Sequence, residues 1–140
     1  MASNSLLETV VFARRAIERT LAEPDGRAPV CRSAVTLPDL EGAAEQALSL
    51  PALQWLMWRN VGIVRSGESL EEVRETLGGW QRQVKPTDRA SYELANLVLA
   101  ARLTTDAALM RTESRGGHYR SDYPETRDEW RRRIVFRAAA

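Results

Sequence analysis

The sequence contains few of the residues that usually carry chemistry. Among its 140 residues there is one histidine, His118, and one cysteine, Cys31. A lone cysteine excludes a disulfide within the chain and suits a reducing cytoplasm. The chain has no residues at metal-ligand spacing, no glycine-rich phosphate loop and no nucleophile elbow. These absences argue against catalysis by this chain alone.

Long apolar runs and lysine are also scarce. No apolar run approaches the length of a membrane span, and nothing near the start resembles a signal peptide. We therefore expect no membrane partner and a cytoplasmic location. Lys85 is the only lysine among 20 basic residues, and 19 acidic residues leave a net charge of +1. Because the two signs are interleaved, no basic surface for nucleic acid stands out.

What remains is the composition of a folded soluble protein. Apolar residues make up 44% of the chain and charged residues 28%, which is typical of globular domains and not of disordered chains. A length of 140 residues is enough for one ordinary domain with its own hydrophobic core.

Apolar residues recur at three- and four-residue steps in four segments, which predicts four helices. The predicted helices cover residues 1–22, 51–65, 69–84 and 88–113. Short turns join the last three, so the predicted fold is all-α. It is a spectrin-like, up-down-up three-helix bundle with an extra N-terminal helix and an irregular C-terminal tail.

Helix ends and the core are predicted from local patterns. Ser69 with Glu72 has the pattern of a capping box, and Asp88 or Thr87 can cap the last helix. Another capping-box pattern at 36–39 predicts a short helix ending near Leu48. Helix 51–65 is the most apolar, so we expect it to be the buried centre of the bundle. The same reasoning predicts that three tryptophans lie in the core: Trp55, Trp58 and Trp80.

Loop-forming residues divide the chain into four parts. We predict a separate helix at 1–22, a linker at 23–36, the helical bundle at 37–113, and a turn with a tail at 114–140. A helix that begins almost at the first residue suggests a chain cut from a longer one. Residues 134–136 look like a short strand. Because the bundle offers no sheet, we expect the strand's partner to lie in the absent part.

The turn at 116–120 is the one cluster with a functional look. One interpretation is an anion or carboxylate clamp made by Arg115, His118 and Arg120. The other is a helix end, at which these basic residues face the negative pole of the helix dipole and form ion pairs with Glu113 and Asp122. Residue types alone favour the helix end.

Three stretches together resemble one enzyme family. They are ASNSLLE at 2–8, LQWLMW at 53–58 running into VGIVR at 61–65, and MRTESRGGHYRSDYP at 110–124. In this order they are similar to the flavoproteins that include L-aspartate oxidase and the flavin subunits of succinate dehydrogenase and fumarate reductase. The form of the second stretch resembles the aspartate oxidase branch in particular.

The resemblance implies the C-terminal portion of a FAD-dependent oxidase. Such an enzyme converts L-aspartate to iminoaspartate, with oxygen or fumarate as electron acceptor, on the route to quinolinate and NAD. It implies that Ser5 and Leu6 lie beside the flavin ring, where the positive end of their helix favours negative charge on the reduced flavin. The implied partners are the FAD-binding and capping domains of the same protein.

The family's glycine-rich dinucleotide motif and its catalytic arginines and histidines have no counterpart here. We therefore expect no catalytic residue and no metal site in this chain, and no bound FAD without the remainder. Two alternatives stay open. One is the C-terminal domain of a succinate dehydrogenase or fumarate reductase flavoprotein, and the other is a stand-alone helical module whose arginine-rich end binds a partner.

Overall fold

Two compact units make up the chain, Met1–Arg32 and Ser33–Ala140. The computed structural model describes residues 5–22, 35–37 and 46–137, without the side chains of 5–7. In the first unit, helix α1 spans Ser5–Ala22, which confirms the predicted N-terminal helix. Its apolar stripe is exposed, since the exposed fraction is 69% at Val10 and 61% at Ile17. The stripe therefore adds nothing to a core within the described residues.

The second unit is the predicted bundle. Its helices are α2 (Leu50–Val61), α3 (Gly67–Gln83) and α4 (Arg89–Met110). Helices α3 and α4 contact each other along most of their length, and α2 lies against both. The all-α class and the three-helix bundle are confirmed. None of the described helices has the length and hydropathy needed to cross a membrane.

Helix α2 ends four residues earlier than predicted, at Val61. Ser49 caps its start, and its Oγ accepts from the amide of Ala52 at 3.2 Å. The end is set by Gly62, because a Cβ atom there would lie 2.5 Å from the carbonyl oxygen of Trp58. Only glycine fits that approach. The chain then leaves the helix in extended form.

The prediction that Ser69 opens α3 with Glu72 was wrong by three residues. Ser66 is the N-cap, and Ser69 is the third helical residue of the capping box. The Ser66 Oγ accepts from the Ser69 amide at 3.2 Å, and the Ser69 Oγ accepts from the Ser66 amide at 3.2 Å. A serine thus takes the place that glutamate usually holds in this motif, which is why the usual pattern indicated the later start.

Helix α4 begins as predicted, with Asp88 as its N-cap. The Asp88 Oδ1 accepts from the Ser91 amide at 2.8 Å, and Ser91 completes a capping box. The helix ends at Met110, three residues short of the predicted end at Glu113. Its 22 residues give a rod of about 33 Å. That length lets α4 support both α3 and the segment after it.

The core is centred on α3, and the prediction that helix 51–65 would be its centre was wrong. The predicted seam of α3 is fully buried at Leu70, Val73, Leu77 and Trp80. On α2 only Leu53 and Val61 are buried. The tryptophans Trp55 and Trp58 are 56% and 76% exposed. Helix α2 is apolar around most of its circumference, but it packs by one face alone.

Two short parallel strand pairs complete the second unit. Strand β1 (Val35–Thr36) pairs with β4 (Phe136–Arg137), and β2 (Val64–Arg65) pairs with β3 (Tyr119–Arg120). The first pair corrects the expectation that the strand near residue 136 needs a partner outside this chain. The predicted helix ending near Leu48 falls largely outside the described residues, and 46–49 are not helical.

Replacement of Trp80 should destabilise the bundle far more than replacement of Trp58. The Trp80 indole is fully buried, and its Nε1 donates to the Gln46 carbonyl at 2.7 Å. Trp80→Ala should lower the free energy of unfolding by roughly 3–5 kcal/mol. The matched variant Trp58→Ala should stay within about 0.5 kcal/mol of wild type. Urea unfolding followed by circular dichroism measures both, and equal losses would contradict the assignment of the core to α3.

Candidate functional site

The residues predicted to contact a flavin, Ser5 and Leu6, open helix α1. Their side chains lie outside the described part of the structure, so their contacts stay a prediction. The backbone is informative on one point. A helix that starts at Ser5 directs the free amide hydrogens of its first turn out of its end. That geometry suits a neighbouring negative charge.

The other candidate cluster is a tight turn after α4. Arg115 and His118 face each other across it, with N–H···O distances of 2.8 and 3.0 Å. Between them Gly116 has a φ of +59°, a left-handed conformation that favours glycine. The hydroxyl of Ser114 accepts from the Arg120 amide at 2.9 Å and donates to the Tyr123 carbonyl at 2.8 Å. Backbone and hydroxyl contacts thus hold the turn in one shape.

Glu113 lies at the centre of this turn and is fully buried. Its carboxylate accepts from Arg115 Nε at 3.0 Å, from Arg115 Nη2 at 2.9 Å, from Arg111 Nη1, and from the Arg127 amide at 2.8 Å. Hydrogen bonds from the Arg115 guanidinium are the largest cause that lowers the pKa of Glu113 to about 2. These contacts also explain the early end of α4, because they need residues 111–113 out of the helix.

Arg120 and Asp122 join the ends of two helices. Arg120 Nη1 donates to the carbonyls of Ala108 and Leu109 at 2.8 and 3.1 Å, at the negative end of α4. Its Nε and Nη2 bind the Asp122 carboxylate at 2.8 and 2.6 Å. Asp122 in turn accepts from the Gly67 amide at 3.0 Å, at the positive end of α3. Both charges complement the helix dipoles.

The hydrogen bonds to Arg120 are the main cause that lowers the pKa of Asp122 to about 2, and the Gly67 amide adds to them. Arg115 and Arg120 therefore face Glu113 and Asp122, as the helix-end interpretation predicts. A clamp in which Arg115, His118 and Arg120 converge on one ligand is not formed.

His118 has a different environment from the two arginines. Its Nε2 lies 3.2 Å from the Arg111 carbonyl oxygen and its Nδ1 lies 2.9 Å from Arg65 Nη1. A carbonyl can only accept and a guanidinium can only donate, so the proton is on Nε2 and the ring is neutral. Burial, followed by the nearby arginines Arg65, Arg111 and Arg120, lowers the pKa of His118.

Sequence reasoning missed Arg65 and Arg111 as members of this cluster. Arg65 stands 53 positions before His118, and no local pattern connects them. The strand pair β2–β3 brings the two together. The arrangement has no paired nucleophile and base, and the described residues contain no group that could hold a metal ion. The turn therefore serves to hold the chain in place, and its chemistry is that of ion pairs.

Comparison with known proteins identifies relatives over most of the chain. The fumarate reductase flavoprotein C-terminal family matches residues 51–139. An L-aspartate oxidase of Rhodospirillum rubrum is 40% identical over 131 residues, which cover 90% of this chain and 44% of that protein. A fumarate reductase (CoM/CoB) polypeptide of Methanothermobacter marburgensis is 33% identical over 154 residues, covering 96% and 28%.

Among solved structures, Sdh1 of Mycobacterium smegmatis in complex with UQ1 matches with a TM-score of 0.49 and 36% identity. The match covers 58% of this chain and 15% of that one. The chain spans less than half the length of either of the two relatives matched by sequence.

Substitution of the two turn glycines should have unequal effects. A Cβ atom at either Gly116 or Gly117 would meet no atom within 4 Å, but Gly116 alone has a positive φ. Gly116→Ala should therefore cost roughly 1–2 kcal/mol of stability through backbone strain. The control Gly117→Ala should be within about 0.5 kcal/mol of wild type. Thermal unfolding of both variants tests this, and a larger loss at Gly117 would contradict the turn geometry.

Stability should fall as the pH falls toward 2. The pKa values of Glu113 and Asp122 are lowered to about 2 from ordinary values of 4.5 and 3.8. Since the unfolded chain binds these protons first, their contribution is complete above about pH 5 and is lost below it. Glu113→Gln should lower the melting temperature at neutral pH and flatten its acid dependence.

The exposed Glu129, which lies 3.6 Å from Arg127, provides the control. Glu129→Gln should leave the acid dependence of the melting temperature unchanged. The pKa of Asp106 is raised by burial and gives the opposite slope in every variant, so differences between variants isolate Glu113. An unchanged slope in Glu113→Gln would show that this carboxylate does not set the acid limit.

Proposed function

This chain belongs to the fumarate reductase flavoprotein C-terminal family, and we propose that it is the C-terminal helical domain of a FAD-dependent L-aspartate oxidase. The observation that carries the proposal is 40% identity to the Rhodospirillum rubrum oxidase over 90% of this chain. The whole enzyme would oxidise L-aspartate to iminoaspartate, with oxygen or fumarate as acceptor. Its place would be the cytoplasmic route to quinolinate and NAD.

Within that enzyme, the four parts of the chain would have separate roles. Residues 1–22 would be the last helix of the FAD-binding domain, 23–36 a linker, 37–113 the helical bundle, and 114–140 a docking turn with its tail. The exposed apolar stripe of α1 supports the first assignment, since a helix of this kind needs a packing partner. The partners would be the FAD-binding and capping domains of the same protein.

The helix start at Ser5 suits a flavin. When bound, FAD would supply the two-electron chemistry that removes hydrogen from the amino acid. The backbone of Ser5 and Leu6 would face the pyrimidine edge of the ring, where the positive end of α1 favours negative charge. The rest of the chain would support that helix and contribute no catalytic residue.

A second candidate stays within the family. The 33% identity to the Methanothermobacter marburgensis fumarate reductase (CoM/CoB) polypeptide over 96% of this chain favours a fumarate or succinate flavoprotein. The two candidates differ in substrate, because one enzyme oxidises an amine and the other interconverts succinate and fumarate.

Enzyme assays on two lengths of polypeptide test the proposal. The protein made from the full reading frame that contains this chain should carry FAD, seen by its visible absorbance. It should form iminoaspartate from L-aspartate with oxygen or fumarate, and it should not oxidise succinate. The 140-residue chain alone should do neither. Succinate oxidation without aspartate oxidation would favour the second candidate, and stoichiometric FAD on the short chain would contradict the division of roles.

A further inference from the structure

A cleft beside His118 has the features of a ligand site. Its volume is about 660 Å³, within the range of small-molecule pockets. Its walls are mainly apolar, and its charged groups are Arg65, Arg111 and Arg133, with His118 between them. No aspartate or glutamate is among the described residues that line it. We call this space the Arg65 cleft.

The positive charge in the Arg65 cleft is only partly neutralised. Arg111 has its counter-ion, since its Nη1 binds the Glu113 carboxylate. Arg65 donates instead to neutral acceptors, from Nε to the Val61 carbonyl at 2.9 Å and from Nη1 to His118 Nδ1 at 2.9 Å. No described carboxylate forms an ion pair with Arg65 or Arg133. A half-buried cation without a counter-ion is unfavourable unless an anion reaches it.

Arg65 is also held in position for such an anion. The neutral ring of His118 is fixed by the Arg111 carbonyl at Nε2 and accepts from Arg65 at Nδ1. With Nε bound to the Val61 carbonyl, the guanidinium is held on two sides. A guanidinium has five N–H groups, so its remaining donors are free to face the cleft. This pre-ordering reduces the entropy lost when a ligand binds.

The walls decide which anion fits. Leu103, Ala107, Ile134 and Phe136 line the same cleft and offer apolar surface next to the arginines. Inorganic phosphate would gain nothing from that surface. A carboxylate joined to an aliphatic or aromatic body would use both parts, because guanidinium groups match carboxylates in a two-point contact.

We propose that the Arg65 cleft binds a small organic carboxylate, with Arg65 and Arg133 on its charged end and Leu103, Ile134 and Phe136 against its apolar body. The site is independent of the flavin chemistry proposed above. It would give the bundle a ligand of its own, bound where α4, the turn and the tail meet.

Titration with hexanoate tests the site in the 140-residue chain. Because His118 is the only histidine, its ring proton NMR signals report on the cleft without overlap, and calorimetry gives a second readout. Hexanoate should shift these signals saturably. Butyrate should bind more weakly by up to about fourfold per methylene removed. The neutral hexanamide and inorganic phosphate should bind much more weakly than hexanoate at the same ionic strength.

Variants assign the contact. Arg65→Gln and Arg133→Gln should each weaken hexanoate binding by about tenfold or more. Arg133 makes no ion pair with the described residues, so its replacement should leave the fold intact if Arg65→Gln does not. Arg59→Gln is the matched control, because Arg59 lies over the Trp55 ring on α2, 5.0 Å from its centroid, and should bind as wild type.

Three results would overturn the proposal. Equal binding of hexanoate and hexanamide would remove the role of charge. Tighter binding of phosphate than of hexanoate would show a plain anion site. Wild-type affinity in folded Arg133→Gln, together with an unchanged response in Arg65→Gln, would place the ligand elsewhere.

Discussion

The buried carboxylate of Glu113 holds the segment after the bundle to the end of α4. Its partners come from both sides of the turn, with Arg111 and Arg115 close by and the Arg127 amide 14 residues further on. A buried charge is tolerated only when its hydrogen-bonding capacity is filled. Helix α4 therefore ends before its last predicted turn, and the chain folds back along the bundle.

The neighbouring ion pair extends the same principle to two helices at once. Arg120 binds carbonyls at the negative end of α4, and Asp122 binds the Gly67 amide at the positive end of α3. Each charge satisfies backbone groups that a helix leaves without partners at its ends. The basic residues of the turn are thus mostly committed to structure. Arg65 and His118 are different, because they contact each other and face an open cleft.

Membership of the flavoprotein family gives these contacts a setting. The residues that carry the resemblance at 110–124 are largely those that build the ion pairs and the turn. Family resemblance in this region therefore reflects the need to hold the tail against the bundle, not chemistry performed there. Composition and spacing could show that this chain lacks catalytic machinery, but its connection to a flavin depended on the recognition of stretches such as SNSLL at 3–7.

The sequence by itself determined the three bundle helices, the Asp88 cap, the buried seam of α3 and the ion-pair role of the turn. Each of these depends on residues three to seven positions apart, so local periodicity is sufficient to predict it. Only the tertiary structure decided that α2 buries one face, that β1 supplies the edge for β4, and that Arg65 meets His118. The contacts of Gly67 with Asp122 and of Ser121 with Arg65 join residues 55 and 56 positions apart. Pairings at such distances follow from how the helices pack, which no local pattern records.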